Sequence, residues 1–194
     1  MATWRTVREV RGLCIDVENL PGTYGPGDYT HPKITAVGWG WRGDQSGYRA
    51  SSKVHGRTFA RADVEGMREV AEEFRSVWDE ADFVIGHNIR RHDRKMLDGW
   101  LWTLDLPPLS SKRLVDTYLD VSSRPVGLSR SLENLTARWG CPTKKPHLEE
   151  HVWEAAYDGQ EWAVDVMRRR VMADVRINLW LYEELTKRGL LTWR

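Results

Sequence analysis

"GLCIDVENLPG", residues 12–22, alternates along its first half and then breaks at Pro21-Gly22. Leu13, Ile15 and Val17 fall on one side of such a strand, and Cys14, Asp16 and Glu18 on the other. A strand rises about 3.3 Å per residue, so carboxylates two positions apart stand roughly 6–7 Å apart on one side. Two anions that close repel unless a cation or hydrogen-bond donors lie between them. Hard divalent ions such as Mg²⁺ or Mn²⁺ prefer oxygen ligands, and a pair of ions about 3.5–4 Å apart fits between carboxylates at this spacing. The other reading is a solvated sheet face bearing surface acids. This stretch alone leaves both open.

Outward from it, "NLPGTYGPGDYTHP" reads as a loop and "KITAVGWGWRG" as a second strand. The turn "GDQSG" leads to a weaker strand candidate in "YRASSKV", residues 48–54. That order predicts an antiparallel meander. Residues 60–81 then carry Val64, Met67, Val70, Ala71, Phe74 and Val77 at helical spacing. "DFVIGHN", residues 82–88, is a short buried-strand pattern, and "RHDRKMLDGWLWTL" opens a helix. "SKRLVDTYLDV" mixes strand and helix signals. "GLSRSLENLTARWG" is a helix with Ser129 or Ser131 as its cap and Gly140 as its stop. Residues 141–159 run from loop to short helix, and 161–187 are helical again. Strands first, then alternating helices and strands, predict an α/β domain with a mixed sheet, one domain over residues 1–194.

Composition narrows the function classes. Lys plus Arg number 29 against 28 Asp plus Glu, so no global basic field marks a nucleic-acid binder, although local patches can still hold phosphates. Cys14 and Cys141 are far apart and form no metal or disulfide pattern, which points to a reducing, cytoplasmic setting. "MATWRTVREVRG" lacks a signal-peptide core, and no apolar run approaches the ~20 residues that span a bilayer. Most of the 11 tryptophans are expected in the core or in cleft walls.

Two further acids stand in unusual positions. Asp93 begins a helix just after the "DFVIGHN" strand, near a strand end where open α/β sheets hold ligands; a first-turn helix acid is the alternative. Asp174 shares a helical stripe with Met167, Val171, Ile177, Leu181 and Leu185. An unpaired carboxylate in an apolar stripe is costly, so a metal or strong donors must stand near it. A salt bridge to Arg168, Arg169, Arg170 or Arg176 is the competing account, with Arg170 one turn away on the same side.

With their flanks, these four acids resemble the motifs of the DEDD-type 3′–5′ exonucleases of the RNase H-like superfamily. "IDVENLPG" is similar to the first motif, "VIGHNIRRHDRKML" to the second and "MADVRINLWLYEEL" to the third, over about residues 11–186. The resemblance implies an RNase H-like fold and hydrolysis of terminal phosphodiesters in single-stranded or frayed nucleic acid. It also implies that Asp16, Glu18, Asp93 and Asp174 coordinate two ions, Mg²⁺ or Mn²⁺. By the same resemblance Asn19 and Leu20 wedge the terminal base; Asn88, His92 and Arg170 are candidate substrate contacts, with a cleft wall the alternative role for His92 and neutralisation of the acids the alternative for Arg170. His92 stands where the family has an aromatic residue. Arg169 and Arg170 stand where it has a water-orienting His or Tyr, and an arginine only donates. His147, His151 and Tyr157 are alternative water-orienting groups. A catalytically degenerate binding module is therefore the second hypothesis. An RNase H-like endonuclease is a third, disfavoured by the D-x-E on one strand. Arg90, Arg91, Arg94 and Lys95 form a local basic cluster that can hold a backbone. Lys144 and Lys145 fit a solvated face better, and Trp39 and Trp41 fit core packing better than a base-stacking platform.

Overall fold

A computed structural model describes residues 10–20, 33–43, 54–58, 60, 62–121 and 129–191. Three strands, β1 (Gly12–Asn19), β2 (Ile34–Trp41) and β3 (Val54–Thr58), form the predicted antiparallel meander. β4 (Phe83–Gly86) and β5 (Arg113–Asp116) add in parallel on the other side of β1, giving the order β3-β2-β1-β4-β5. The helices are α1 (Val64–Glu80), α2 (Asp93–Thr103), α3 (Leu132–Trp139), α4 (Glu150–Tyr157) and α5 (Glu161–Lys187). Among the described residues, no helix is long and apolar enough to cross a membrane.

Both faces of β1 are covered. Leu13, Ile15 and Val17 pack with Phe74 and Trp78 of α1 and with Met96 and Leu97 of α2. Cys14 faces the opposite layer, with Val175 and Leu179 of α5. The acids on that second side therefore lie under α5, which removes the solvated-face reading: Glu18 is only 8% exposed. Such a doubly covered central strand draws most of its stability from apolar burial, roughly 1.5–3 kcal/mol for each fully buried large side chain.

Local signals account for most boundaries. Asp63 caps α1, its side chain accepting from the Gly66 N–H at 2.9 Å. The core stripe of α1 runs through Ala71, Phe74 and Trp78, while Val64 lies 55% exposed at the helix start. Trp78 was outside the predicted stripe; its indole N–H donates to the Ser110 carbonyl, which lets the large ring be buried with its polar atom satisfied. Ser131, not Ser129, caps α3, and Gly140 ends it at φ +71°, a conformation that favours glycine. The mixed segment 111–121 resolves into β5 followed by a turn. Asp116 holds that turn, accepting from the backbone N–H groups of Asn88, Arg90, Tyr118 and Leu119. The third strand starts at Val54, where the predicted one ended; residues 48–53 lie outside the described residues.

α5 packs directly on glycines of the sheet. A Cβ on Gly38 would meet the Val171 side chain at 2.9 Å and the Val171 carbonyl at 3.1 Å. On Gly56 it would meet Met172 at 2.7 Å. Overpacking such a contact costs about 1–3 kcal/mol. Gly38→Val is accordingly expected to lower the melting temperature by about 3–10 °C, read in a thermal scan. An unchanged melting temperature would mean that α5 is not seated by this contact.

Candidate active site

α5 is the element that completes the site. Its stripe Met167, Val171, Ile177, Leu181 and Leu185 is buried against the sheet, and this fixes Asp174, fully buried on the same face, over the end of β1. One ligand atom each from Asp16, Glu18 and Asp174 gathers within 4.8 Å. Asp93, first residue of α2, reaches the same strand from its edge: its Oδ1 accepts from the Val17 N–H at 3.2 Å, between the two β1 acids in sequence. All four acids of the sequence analysis thus lie in one neighbourhood, three of them in the tight group.

The electrostatics are those of crowded, dehydrated anions. Asp16 keeps a partial opening to solvent, yet enclosure by protein pushes its carboxyl well above the ordinary range, with repulsion from Asp174, Asp93 and Glu18 adding to it and Lys145 opposing. Burial also raises Glu18, and Arg170 offsets part of the rise. Asp93 is pushed to about 7, mainly by burial, against the backbone donors that favour its ionised form.

Two cations answer this charge. Arg170 Nε donates to Glu18 Oε1 at 2.9 Å and to Asp174 Oδ2 at 3.0 Å, so the anticipated i,i+4 salt bridge exists and extends to a second acid. Its Nη1 donates to the Pro146 carbonyl. Arg168 and Arg169 pair with Asp165 instead. Lys145 Nζ lies 2.9 Å from Asp174 Oδ2, a correction to its reading as a solvated lysine. Its half-exposed stem comes from a loop without periodicity, and only its proximity to an α3 stop and a proline was visible in the sequence. Trp153 of α4 closes the cluster, donating from Nε1 to Glu18 Oε2 at 3.2 Å and lying 5.8 Å from the Arg170 guanidinium. Asn178, fully buried one turn beyond Asp174, donates weakly to Asp16 Oδ1 at 3.4 Å. It was missed, although a polar residue four positions after a striped acid is a readable signal.

The remaining predicted contacts divide. Asn19 and Leu20 end β1, half-buried, the Asn19 amide donating to the Leu20 carbonyl at 3.2 Å. Asn88 sits at φ +63° in the turn before α2, its N–H on Asp116 and its Oδ1 buried without a partner. His92 occupies the N-cap of α2, 3.9 Å from Asp93. His87, below it in the motif, shares a hydrogen bond with Thr117 and is pushed down to about 4 by burial. Of the other suggested water-orienting groups, His151 pairs with Glu149 and Tyr157 lies under Lys33; His147 lines a cavity of about 590 Å³ together with Lys145, Pro146 and Arg170. Arg90 and Arg94 are turned to the fold: Arg90 forks onto Asp120 and Arg94 binds Asp98 and the Leu109 carbonyl. Trp39 is buried on His55 and Phe74, in the core as expected.

The donors fit a hard divalent cation. Three carboxylates converge, and Asp174 Oδ1 is buried with no hydrogen-bond partner, a cost that a bound cation would remove.

No family model matches the chain, and no curated protein sequence does. Solved structures do. A family B DNA polymerase from the hyperthermophilic archaeon Pyrobaculum calidifontis superposes with a TM-score of 0.64 at 19% identity, over 92% of this chain and 25% of that one. E. coli exonuclease I in complex with a dT13 oligonucleotide gives 0.59 at 14% identity, over 93% of this chain and 42% of its own. The zinc ion bound form of E. coli exonuclease I with single-stranded DNA gives 0.57 at 14%, over 93% and 41%. The chain therefore spans between a quarter and somewhat under half of the length of these structures, and its fold is the RNase H-like α/β fold that they share.

Proposed function

We propose that this chain is a divalent-metal-dependent exonuclease that hydrolyses nucleic acid from the 3′ end. One observation carries the reading: acids from the central strand and from the long helix α5 meet within 4.8 Å in a buried setting, with Asp93 beside them. Structural similarity to exonuclease I bound to single-stranded DNA supports the substrate class, and its zinc-bound form supports a metal site.

A divalent cation, when bound, supplies Lewis-acid charge and an activated water for in-line attack on a phosphodiester. Asp16 and Asp174 would hold it with Glu18 beside them, and Asp93 anchors the end of β1 through the Val17 N–H and adds negative charge at the cage's edge. Arg170 is donor-only and cannot take a proton from water. It and Lys145 offer charge-assisted hydrogen bonds to phosphate oxygens instead. Asn19 and Leu20, at the end of β1, are the candidates to hold a terminal base, and His92, 3.9 Å from Asp93, and Asn88 are candidate substrate contacts. A second ion, which the resemblance implies, has to share Glu18 and Asp174 with Arg170 and Lys145.

The test is a 5′-labelled single-stranded oligonucleotide incubated with Mg²⁺ or Mn²⁺. A ladder shortening from the 3′ end one nucleotide at a time is expected, stopped by chelator and reduced at least about 100-fold by Asp16→Ala. No shortening with either metal ends the catalytic reading, and internal cuts would make the chain an endonuclease. The second reading, a binding module without turnover, is favoured by Arg170 standing where a water-orienting group belongs. Oligonucleotide binding that chelator leaves unchanged, without cleavage, would select it.

A further inference from the structure

The basic atoms around the acid cluster are arranged asymmetrically. Both oxygens of Glu18 are taken, Oε1 by Arg170 and Oε2 by Trp153. Asp174 Oδ2 is taken twice, by Arg170 and Lys145. Arg170 is itself buried and steadied from behind by the Pro146 carbonyl and the Trp153 ring. On the other side the oxygens are open. Among the described residues Asp174 Oδ1 and Asn178 Oδ1 are buried without hydrogen-bond partners, and Asp16 Oδ1 has only the long contact from Asn178.

Charge points the same way as geometry. Asp16, Glu18, Asp93 and Asp174 carry four negative charges when all are ionised, and Arg170 and Lys145 cancel half of them. A single divalent ion closes the balance. Two would leave an excess of positive charge, with a guanidinium and an ammonium within hydrogen-bond distance of the oxygens they share, an arrangement that burial makes expensive.

We propose that this site takes one divalent cation, between Asp16 and Asp174 Oδ1, and that Arg170 and Lys145 serve as built-in cations in the position of the second. This rests on the metal-binding reading above. In that role the guanidinium and ammonium do without a dissociable ion what a second ion does elsewhere: they hold Glu18 and Asp174 in place and present positive charge to a phosphodiester. Lys145, half-exposed on its loop, is the cation able to swing from Asp174 to a substrate phosphate, whereas Arg170 is fixed.

Stoichiometry decides it. Metal-free protein is titrated with Mn²⁺, and free Mn²⁺ is followed by electron paramagnetic resonance. The native chain is expected to bind one ion and the double variant Arg170→Met/Lys145→Ala two, with folding checked by circular dichroism. Lys145→Ala alone, which alters only a half-exposed side chain, is expected to tighten the first ion about tenfold by removing a charge beside Asp174. Should the double variant fail to fold, this single variant carries the test, and unchanged affinity overturns the inference. Two ions in the native chain, or one in a folded double variant, also overturn it while leaving the nuclease reading intact. No bound ion overturns the metal-binding reading and this inference with it.

Discussion

Asp174→Asn is expected to reduce mononucleotide release by roughly 10³-fold or more while leaving the fold in place. The amide keeps the shape of the side chain and its place in the buried stripe, so α5 stays seated through Met167, Val171, Ile177 and Leu181. Arg170 keeps Glu18 as its partner, which avoids the cost of about 3–5 kcal/mol that follows when a buried ion loses its only counterion. What disappears is the anionic oxygen on which cation binding depends. The comparison is made with the labelled oligonucleotide at saturating Mn²⁺, beside far- and near-ultraviolet circular dichroism. Release within tenfold of the native rate, from a folded variant, would remove Asp174 from the reacting site.

The second large effect is on stability against pH in the presence of chelator. Asp93 has its carboxyl raised to about 7 by burial, against an ordinary 3.8 in the unfolded chain. Between those values the native state holds the proton that the unfolded state has released, so this group's contribution to stability is fully present below about pH 4 and is lost as pH rises through 7. For Asp93 alone the decline amounts to about 4 kcal/mol, and Asp16, raised in the same direction, steepens it. Urea midpoints at pH 5, 6, 7 and 8 measure it. Asp93→Asn, which can still accept the Val17 N–H, is expected to flatten much of the slope. On the metal-binding reading Mn²⁺ takes the ionised acids, so its stabilising effect is expected to grow with pH and oppose the decline. A flat metal-free profile would show that these carboxyls are not held in a dehydrating site.

Much of this was readable in the chain because periodicity is local. The alternation in residues 12–18 gave β1 its two faces, and the three- and four-residue steps of α5 exposed Asp174 as an acid where apolar residues belong. Ser131 and Gly140 marked the ends of α3 by their capping chemistry. Other parts depend on contacts that no local pattern encodes. Lys145 reaches Asp174 from an irregular loop, so nothing in its neighbours distinguished it from a solvated lysine. Arg90 and Arg94 looked like a phosphate-binding cluster because charge alone was visible; the carboxylates and carbonyls that hold them come from residues 98–120. Val64 satisfied the spacing of α1 but lay before the helix met the core, whereas Trp78 was buried because Ser110 could accept its N–H.

Arg170 and Glu18 are joined across 152 positions of sequence. A nascent or truncated polypeptide that has made the sheet but not yet laid down α5 holds its β1 carboxylates without their arginine clamp or their third acid. The complete acid cluster therefore requires this long-range closure, a slow kind to form. On the nuclease reading proposed above, a half-built molecule of this architecture is expected to be inert toward nucleic acid.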